Sequence, residues 1–427
     1  MKISLKNLSI TLLLGAIMLF PSFVVGRISS GNTIELRIED FLLLFFGIVA
    51  LAYFLVNGKS KFRKPPFFMP ILFWLAIEFF SVLINLILGN LFVIDRAIFY
   101  FLKEIELIFL YFFVYWSLED IKSIKNVIKF TLFFTALNVA YVFYQIVVHN
   151  QVGEYGTAAL PEYGVFPTGA FFVVLFIFLL SYFIFYYNNL DRKLWKKILM
   201  GGIAISPAVG VFGSGSKTNF IALLFSFVAI FLLAFFKKNT KTAKMFIIGF
   251  IVLIFLLAFF AYSVLYIKNI VRIMDIFGLH KIVSNYSSGR IVVIKIVWKE
   301  LYDKFNQQPL SILFGFGVGY ITEAHNQFLR NFGEIGILGS LAFLVMIFLI
   351  FREGFRIYNN SNDLFLTAMG VIIIVMTSAM MVFSFTTDPF FSVKTSEVYW
   401  FFMAICAAVT SMESKRGIKE NKSVNIY

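Results

Sequence analysis

The run FPTGAFFVVLFIFLLSYFIFYY, residues 166–187, contains no charged residue and is long enough to form a helix that crosses a membrane. A helix needs about 20 mostly apolar residues to span the hydrocarbon core of a bilayer. The whole chain has 427 residues, of which 60% are hydrophobic, and its mean hydropathy is +0.88. This composition excludes an ordinary soluble domain, because a soluble core has no room for so much apolar surface.

Runs of this kind recur along the chain. We predict twelve membrane-spanning helices, at about 8–26, 40–57, 67–88, 97–116, 126–148, 166–187, 197–213, 218–236, 245–267, 332–351, 364–386 and 395–412. The first run follows Lys2 and Lys6, but no cleavage site of the A-x-A kind follows it, so we expect a retained signal anchor. The predicted fold class is all-α: a polytopic integral membrane helical bundle that forms a single membrane domain over residues 1–427.

The basic residues predict how this bundle is oriented. The formal net charge is +14. Short basic clusters fall on alternate loops: Lys59, Lys61, Arg63 and Lys64; Arg192, Lys193, Lys196 and Lys197; Lys237, Lys238, Lys241 and Lys244; Lys415, Arg416, Lys419 and Lys422. By the positive-inside rule these loops and both termini are cytoplasmic, and the intervening loops lie outside. This distribution favours membrane lipid as a partner, and we expect no nucleic-acid partner.

The longest outward loop is predicted over residues 268–331. Within it, apolar residues recur at helical spacing over about 290–305, at Ile291, Ile294, Trp298, Leu301 and Phe305. This pattern predicts an amphipathic helix that lies on the outer membrane surface. The segment LFGFGVGY, residues 313–320, predicts a tight, irregular turn. Thr322 is the expected cap of the next helix, which would place His325 in its first turn, at the mouth of the bundle.

His325 opens the segment HNQFLRNFGEIGILG, residues 325–339, and is the strongest catalytic candidate. An imidazole at a helix start facing outside can accept a proton from a hydroxyl or bind a phosphate. The simpler interpretation is an interfacial histidine that satisfies a backbone group. Arg330 and Glu334, one helical turn apart, either form an ion pair or help to line the site.

Two other cations are expected on the outer side. Arg290, in SSGR (287–290), is suited to bidentate binding of phosphate oxygens, or else it is an interfacial arginine whose charge reaches water. Lys217 follows a glycine-rich turn in GSGSKTN (213–219) and opens a span. Exposed N–H groups, a helix N-terminus and a lysine together favour an anion site, although a plain interfacial lysine is the alternative.

Other sequence features bear on cofactors and on buried charge. Cys406 is the only cysteine and lies in the last predicted span, and the three histidines are scattered at 149, 280 and 325. We therefore expect no metal site and no cofactor. Lys103, Glu104 and Glu106 lie inside the fourth span, where charges are unfavourable. Lys103 and Glu106 either pair structurally or indicate a polar cavity that opens outward.

Taken together, the histidine and the two cations predict a substrate with an anionic head and an apolar tail. A lipid-linked diphosphate has both features. Outside the cell there are no nucleotide-sugar donors, so a sugar transferase acting there needs a lipid carrier. Cationic side chains can neutralise the leaving diphosphate.

The motif segments resemble those of the O-antigen polymerase and O-antigen ligase family of bacterial membrane glycosyltransferases. The similar segments are GSGSKT (213–218), SGR (288–290), LFGFGVGY (313–320) and HNQFLRNFGEIGILG (325–339). The last is the most specific, with a His-Asn opening, a leucine four residues after the histidine and a Glu-x-Gly-x-x-Gly ending. The motifs cover roughly residues 200–350, and the rest of the chain is similar only in topology.

The resemblance implies a glycosyltransferase of the bacterial cytoplasmic membrane that uses an undecaprenyl-diphosphate-linked oligosaccharide and inverts the anomeric carbon. It implies that His325 and Arg290 are catalytic and that Lys217, where the family usually has arginine, contacts the diphosphate. We also place Asn326, Arg330 and Glu334 in the substrate site. The expected activity is polymerisation of surface polysaccharide, with a chain-length regulator protein as an expected partner. A ligase acting on lipid A core and a flippase are the alternatives.

Overall fold

The computed structural model of the protein describes residues 5–20, 23–27, 33–57, 64–89, 94–149, 165–237, 283–321 and 324–424. The helices are α1 (Leu5–Leu19), α2 (Ile38–Asn57), α3 (Phe68–Ile87), α4 (Ile94–Ser117), α5 (Ile121–His149), α6 (Val165–Phe185), α7 (Leu194–Ile205), α8 (Pro207–Ser214), α9 (Lys217–Phe236), α10 (Val283–Gln307), α11 (Ser311–Phe314), α12 (Gln327–Asn360), α13 (Leu364–Ser384) and α14 (Val393–Val424). Two short strands, β1 (Phe23–Arg27) and β2 (Thr33–Leu36), pair antiparallel between α1 and α2.

The prediction of a helical, multi-span membrane protein is confirmed, but the count of twelve spans is not. Within the described ranges, seven helices are long and apolar enough to cross a bilayer. The first predicted run is shorter than expected, because α1 ends at Leu19 and β1 follows. The sequence has a proline at position 21, and proline is unfavourable in the interior of a helix because it lacks an N–H group. The predicted run 245–267 lies outside the described residues.

The centre of the bundle is formed by helices that are apolar on every side. In α6 nearly every residue from Ala170 to Phe185 is buried, and α13 is buried over most of its length. A helix without a polar face belongs in the middle of a helical assembly. The outer helices expose large apolar side chains, such as Phe45, Phe143 and Phe348. Exposed apolar surface on this scale suits contact with lipid.

One end of the bundle, which we call the histidine end, is formed by the starts of α6, α9 and α12 and the end of α13. The Asn219 amide donates to the Phe166 carbonyl at 2.9 Å, and the Phe166 ring centroid lies 5.4 Å from that of Phe383. The Gln327 N–H donates to the Thr387 carbonyl at 3.2 Å. These contacts bring the Lys217 turn and the His325 segment, which are far apart in sequence, to the same end of the protein.

The opposite end, the basic end, carries the described members of the basic clusters. The Lys237 ammonium donates to the Ser361 carbonyl at 3.0 Å, and the Lys197 ammonium donates to the Asn188 carbonyl at 2.7 Å. The Tyr115 hydroxyl donates to the Lys64 carbonyl at 3.4 Å. The charge asymmetry that underlies the predicted topology is therefore present along the bundle axis. Which end faces the cytoplasm stays a prediction.

Helix α12 is broken at Gly336, which has φ +66° and ψ −166°. The glycine turn predicted at 313–320 packs directly on this break: the Phe316 and Gly317 N–H groups donate to the Gly333 and Glu334 carbonyls at 2.8 and 2.9 Å. A continuous helix would have used those carbonyls itself. Gly336 lets the backbone change direction at this point, because glycine adopts a positive φ without steric cost.

Gly336→Ala is expected to lower the stability of the protein by about 3 kcal/mol or more. A residue with a side chain would be strained by the backbone angles at this position. Its Cβ would also lie 2.4 Å from the Leu313 carbonyl group. The check is thermal unfolding of the purified protein in detergent. Gly89→Ala is the matched control, because Gly89 also has a positive φ but no atom of the described residues lies within 4 Å of its would-be Cβ. Equal losses in the two variants would contradict the role of the break.

Candidate functional site

His325 lies just before α12 rather than inside its first turn. Its backbone has a φ of +49°, and its side chain is half-buried. The cap is Asn326, whose side chain accepts from the Leu329 N–H at 2.9 Å and donates to the Phe385 carbonyl at 3.3 Å. The prediction that Thr322 caps this helix was wrong. Asn326 is a strong capping residue, and it stands three residues before Leu329, whose N–H group has no carbonyl partner within the helix. Thr322 itself lies outside the described residues.

Arg330 and Glu334 form the ion pair that was one of the two interpretations of their spacing. The Arg330 Nε lies 3.3 Å from the Glu334 carboxylate, and its Nη1 donates to Asp388 at 3.1 Å. The guanidinium also lies 3.7 Å from the Phe391 ring centroid. The Glu334 carboxylate in turn accepts from the Ile321 N–H at 3.1 Å. Both residues are buried, so this pair fixes the start of α12 to the glycine turn and to the segment after α13.

Two further buried carboxylates extend this cluster into the bundle. Glu78 of α3 and Glu104 of α4 are buried, and they interact electrostatically with each other and with Glu334. Glu104 also interacts with Arg330. One oxygen of Glu78, Oε2, has no hydrogen-bond partner among the described residues. Glu104 was singled out from the sequence, whereas Glu78 and Asp388 were missed. Glu78 could have been found, because a lone carboxylate within an apolar run is itself a signal, but Asp388 lies between two predicted spans.

A second buried ion network joins α2, α4 and α14. Lys103 pairs with Glu106 at 2.7 Å, as one interpretation of the sequence held, and with Asp40 at 3.2 Å. Beside it, buried Lys394 contacts Glu39 and lies 3.5 Å from Glu397. The carboxylates of Asp40, Glu106 and Glu397 offer oxygens within 4.8 Å of one another. Because Lys103 already bridges Asp40 and Glu106, this group fits a lysine-centred ion network better than a metal site.

Lys217 is the first residue of α9, as predicted, and its side chain is exposed at the histidine end. The turn before it has Gly215 at φ +65°, and Ser216 caps the helix by accepting from the Asn219 N–H. The turn packs tightly on α6, since a Cβ at Gly169 would lie 2.2 Å from the Asn219 amide nitrogen. Lys217 is thus held on a rigid helix start.

Arg290 lies within α10, which begins at Val283, seven residues before the predicted start at about residue 290. Its side chain lies outside the described residues, so its place in the site stays a prediction. The second half of α10 packs on the site: Leu301 and Phe305 are buried, and the Phe305 ring centroid lies 5.0 Å from that of Phe316. The Trp298 ring stacks on the Phe332 ring, with 5.9 Å between the two ring centroids.

Tyr320 ties α10 to the end of the glycine turn. Its hydroxyl accepts from the Lys304 ammonium and donates to the Glu300 carboxylate, the latter at 3.1 Å. Burial, together with the Glu300 carboxylate, raises the pKa of Tyr320 above its usual range. The hydroxyl therefore keeps its proton, and with it both contacts, at neutral pH.

The chain was also compared with known proteins. No protein-family model matches it, and no curated protein matches it either.

Proposed function

We propose that this protein is a glycosyltransferase of the bacterial cytoplasmic membrane that polymerises surface polysaccharide. It would join undecaprenyl-diphosphate-linked repeat units at the histidine end, which would face outside. The observation that carries the proposal is that the Lys217 turn and the His325 segment meet at one end of an apolar bundle, opposite the basic end. A phosphate head and a long hydrocarbon tail would be bound together at such a place.

In the proposed reaction, a hydroxyl oxygen of the acceptor unit attacks the anomeric carbon of the donor. The bond from that carbon to the phosphate oxygen breaks, and undecaprenyl diphosphate leaves with the electron pair, which inverts the carbon. His325 would take the hydroxyl proton. Lys217 and Arg290 would neutralise the charge that develops on the leaving diphosphate, so the proposal includes no metal. The buried Arg330 pair would hold the backbone beneath His325 in position.

Glycan analysis of a strain that lacks this protein tests the polymerase against the ligase. For a polymerase, the normal ladder of chain lengths collapses to a single repeat unit. For a ligase that transfers glycan to lipid A core or another acceptor, full-length polymer remains on its lipid carrier. An unchanged ladder would contradict both proposals.

Lys217→Arg is expected to keep most of the activity, whereas Lys217→Gln is expected to lose about tenfold or more. Arginine retains the charge at the helix start and adds a fork that matches phosphate oxygens, while glutamine removes the charge. The measurement is the polymer yield of a strain that expresses each variant at the wild-type level. Full activity of Lys217→Gln would contradict a role of Lys217 in binding the diphosphate.

A transporter of the lipid-linked unit is the second candidate, and two observations favour it. Transporters often contain discontinuous helices, and α12 is broken at Gly336. Ionisable residues buried inside membrane bundles are also typical of transport pathways, and Glu78, Glu104 and Lys394 are such residues. A transporter would move the lipid-linked unit between leaflets of a vesicle without forming a glycosidic bond.

A further inference from the structure

Arg96 is a buried cation to which the proposed function assigns no role. It lies in the first turn of α4 and is 4% exposed. Its Nε and Nη2 have no hydrogen-bond partner among the described residues, and its guanidinium carbon lies 5.6 Å from the centroid of the Tyr100 ring. Within the part of the chain that the structure describes, no carboxylate pairs with this guanidinium.

The nearby Arg330 also has an Nε and an Nη2 without a hydrogen bond to a described residue, but it differs from Arg96 in its carboxylate partners. Its guanidinium carbon lies 5.4 Å from the same Tyr100 ring, but Arg330 also contacts the carboxylates of Glu334 and Asp388. The buried carboxylate Glu104 is on the same helix as Arg96, but it lies eight residues further along, which is about 12 Å deeper in the bundle. Among the described residues, Arg330 therefore pairs with two carboxylates and Arg96 pairs with none.

Arg96 also lies beside the glycine turn that leads to His325. A Cβ at Gly319 would be 3.3 Å from the Arg96 Cγ and 3.0 Å from the Tyr100 ring. The turn continues through Ile321, whose N–H donates to Glu334 at 3.1 Å, and Ala324 to His325. Arg96 and Arg330 thus lie beside the same Tyr100 ring, and Arg96 lies next to the turn that precedes the His325 segment.

A buried cation without a counter-ion is strongly unfavourable, so its presence calls for an anionic partner. The planar guanidinium donates in a fork that matches two oxygens of a phosphate group. We propose that Arg96 binds a phosphate oxygen of the lipid-linked diphosphate and so positions the leaving group beside His325. This inference rests on the proposed function, to which it adds a phosphate-binding residue on α4.

The test is ligand binding by the purified full chain in detergent, measured as the ligand-dependent rise in the unfolding temperature. The probes are undecaprenyl diphosphate, undecaprenol and inorganic pyrophosphate, which separate the lipid-linked phosphate from the tail alone and from a free anion. Wild type is expected to bind undecaprenyl diphosphate and not undecaprenol. Arg96→Met is expected to bind undecaprenyl diphosphate about tenfold or more weakly than wild type does. Arg192→Met, at an exposed arginine of the basic end, is the matched control and should bind as wild type does.

The same variants separate binding from a structural role. Removing an uncompensated buried charge should leave the unfolding temperature of the ligand-free protein unchanged or raise it, whereas loss of a structural arginine would lower it. If Arg96→Met does not fold, Arg96→Lys decides the matter, since lysine keeps the charge but loses the fork. A Kd for undecaprenyl diphosphate within twofold of wild type, in the folded variant, overturns the inference about Arg96.

The remaining outcomes distinguish this inference from the proposed function. If wild type binds none of the three probes, the proposed function itself fails. If wild type binds undecaprenyl diphosphate and Arg96→Met binds it equally well, only the role of Arg96 fails. Equal affinity of wild type for pyrophosphate and for undecaprenyl diphosphate would overturn the lipid carrier as the source of the anion.

Discussion

Replacing His325 with asparagine or glycine is expected to reduce polymer formation by about 10²- to 10⁴-fold, the range that general acid–base catalysis contributes. His325 stands immediately before the cap of α12, at the end of the bundle where the Lys217 turn also lies. In the proposed reaction its imidazole removes the proton of the attacking hydroxyl. Neither replacement has a group that titrates near neutral pH, so both remove the base.

These two replacements are chosen because of the backbone. The φ of His325 is +49°, a conformation that asparagine and glycine adopt readily and that alanine adopts at a cost of about 1 kcal/mol. A defect in His325→Ala would therefore mix lost chemistry with backbone strain. The measurement is the rate of polymer formation at matched protein level, with single repeat units expected to accumulate. Near-normal polymer in His325→Asn or His325→Gly would mean that the backbone shape matters there and the imidazole does not.

Arg330→Met is expected to destabilise the protein by about 3–5 kcal/mol, the usual effect of removing one partner of a buried ion pair. The Arg330 side chain is 5% exposed and contacts the carboxylates of Glu334 and Asp388, which are 1% and 15% exposed. Without the cation, two carboxylates would remain in an apolar bundle with no counter-charge. Stacking on Phe391 would be lost as well.

Thermal unfolding in detergent measures this effect, and a second substitution tests its cause. In the double variant, Glu334→Gln removes one of the two carboxylate charges that Arg330→Met leaves unpaired. The double variant should therefore lose less stability than the two single variants lose together. Arg330 was predicted from the sequence as a substrate-binding residue. A variant Arg330→Met that unfolds at the wild-type temperature and yet makes no polymer would restore that role and contradict the structural one.

The helical membrane fold could be predicted because long apolar runs leave few alternatives, and α6 and α13 appear where the runs do. Local features were less predictable. The break in α12 could not be read from the Gly333, Gly336 and Gly339 spacing, because the same spacing serves close packing of continuous helices. The break depends on hydrogen bonds from a glycine turn that lies earlier in the chain. The ribbon formed by β1 and β2 occupies a segment that was predicted in part as helix.

The candidate site divides in the same way. His325, Lys217 and Arg330 stand in recognisable motifs or at helix starts, so the sequence pointed to them. Arg96 and Asp388 were missed because each is an isolated polar residue just outside a predicted span, and its importance depends on which helix packs against it. Arg96 in particular is distinguished by having no counter-ion among the described residues, which is a property of the packed bundle.

The central claim is that this protein forms a glycosidic bond from a lipid-linked diphosphate donor. The most direct measurement uses the purified protein in lipid vesicles that contain undecaprenyl-diphosphate-linked repeat units, with the products identified by mass spectrometry. The account predicts free undecaprenyl diphosphate together with lipid-linked products of two or more repeat units, in amounts that fall with His325→Asn. Donor that stays unaltered, or that moves between leaflets with no bond formed, would contradict it.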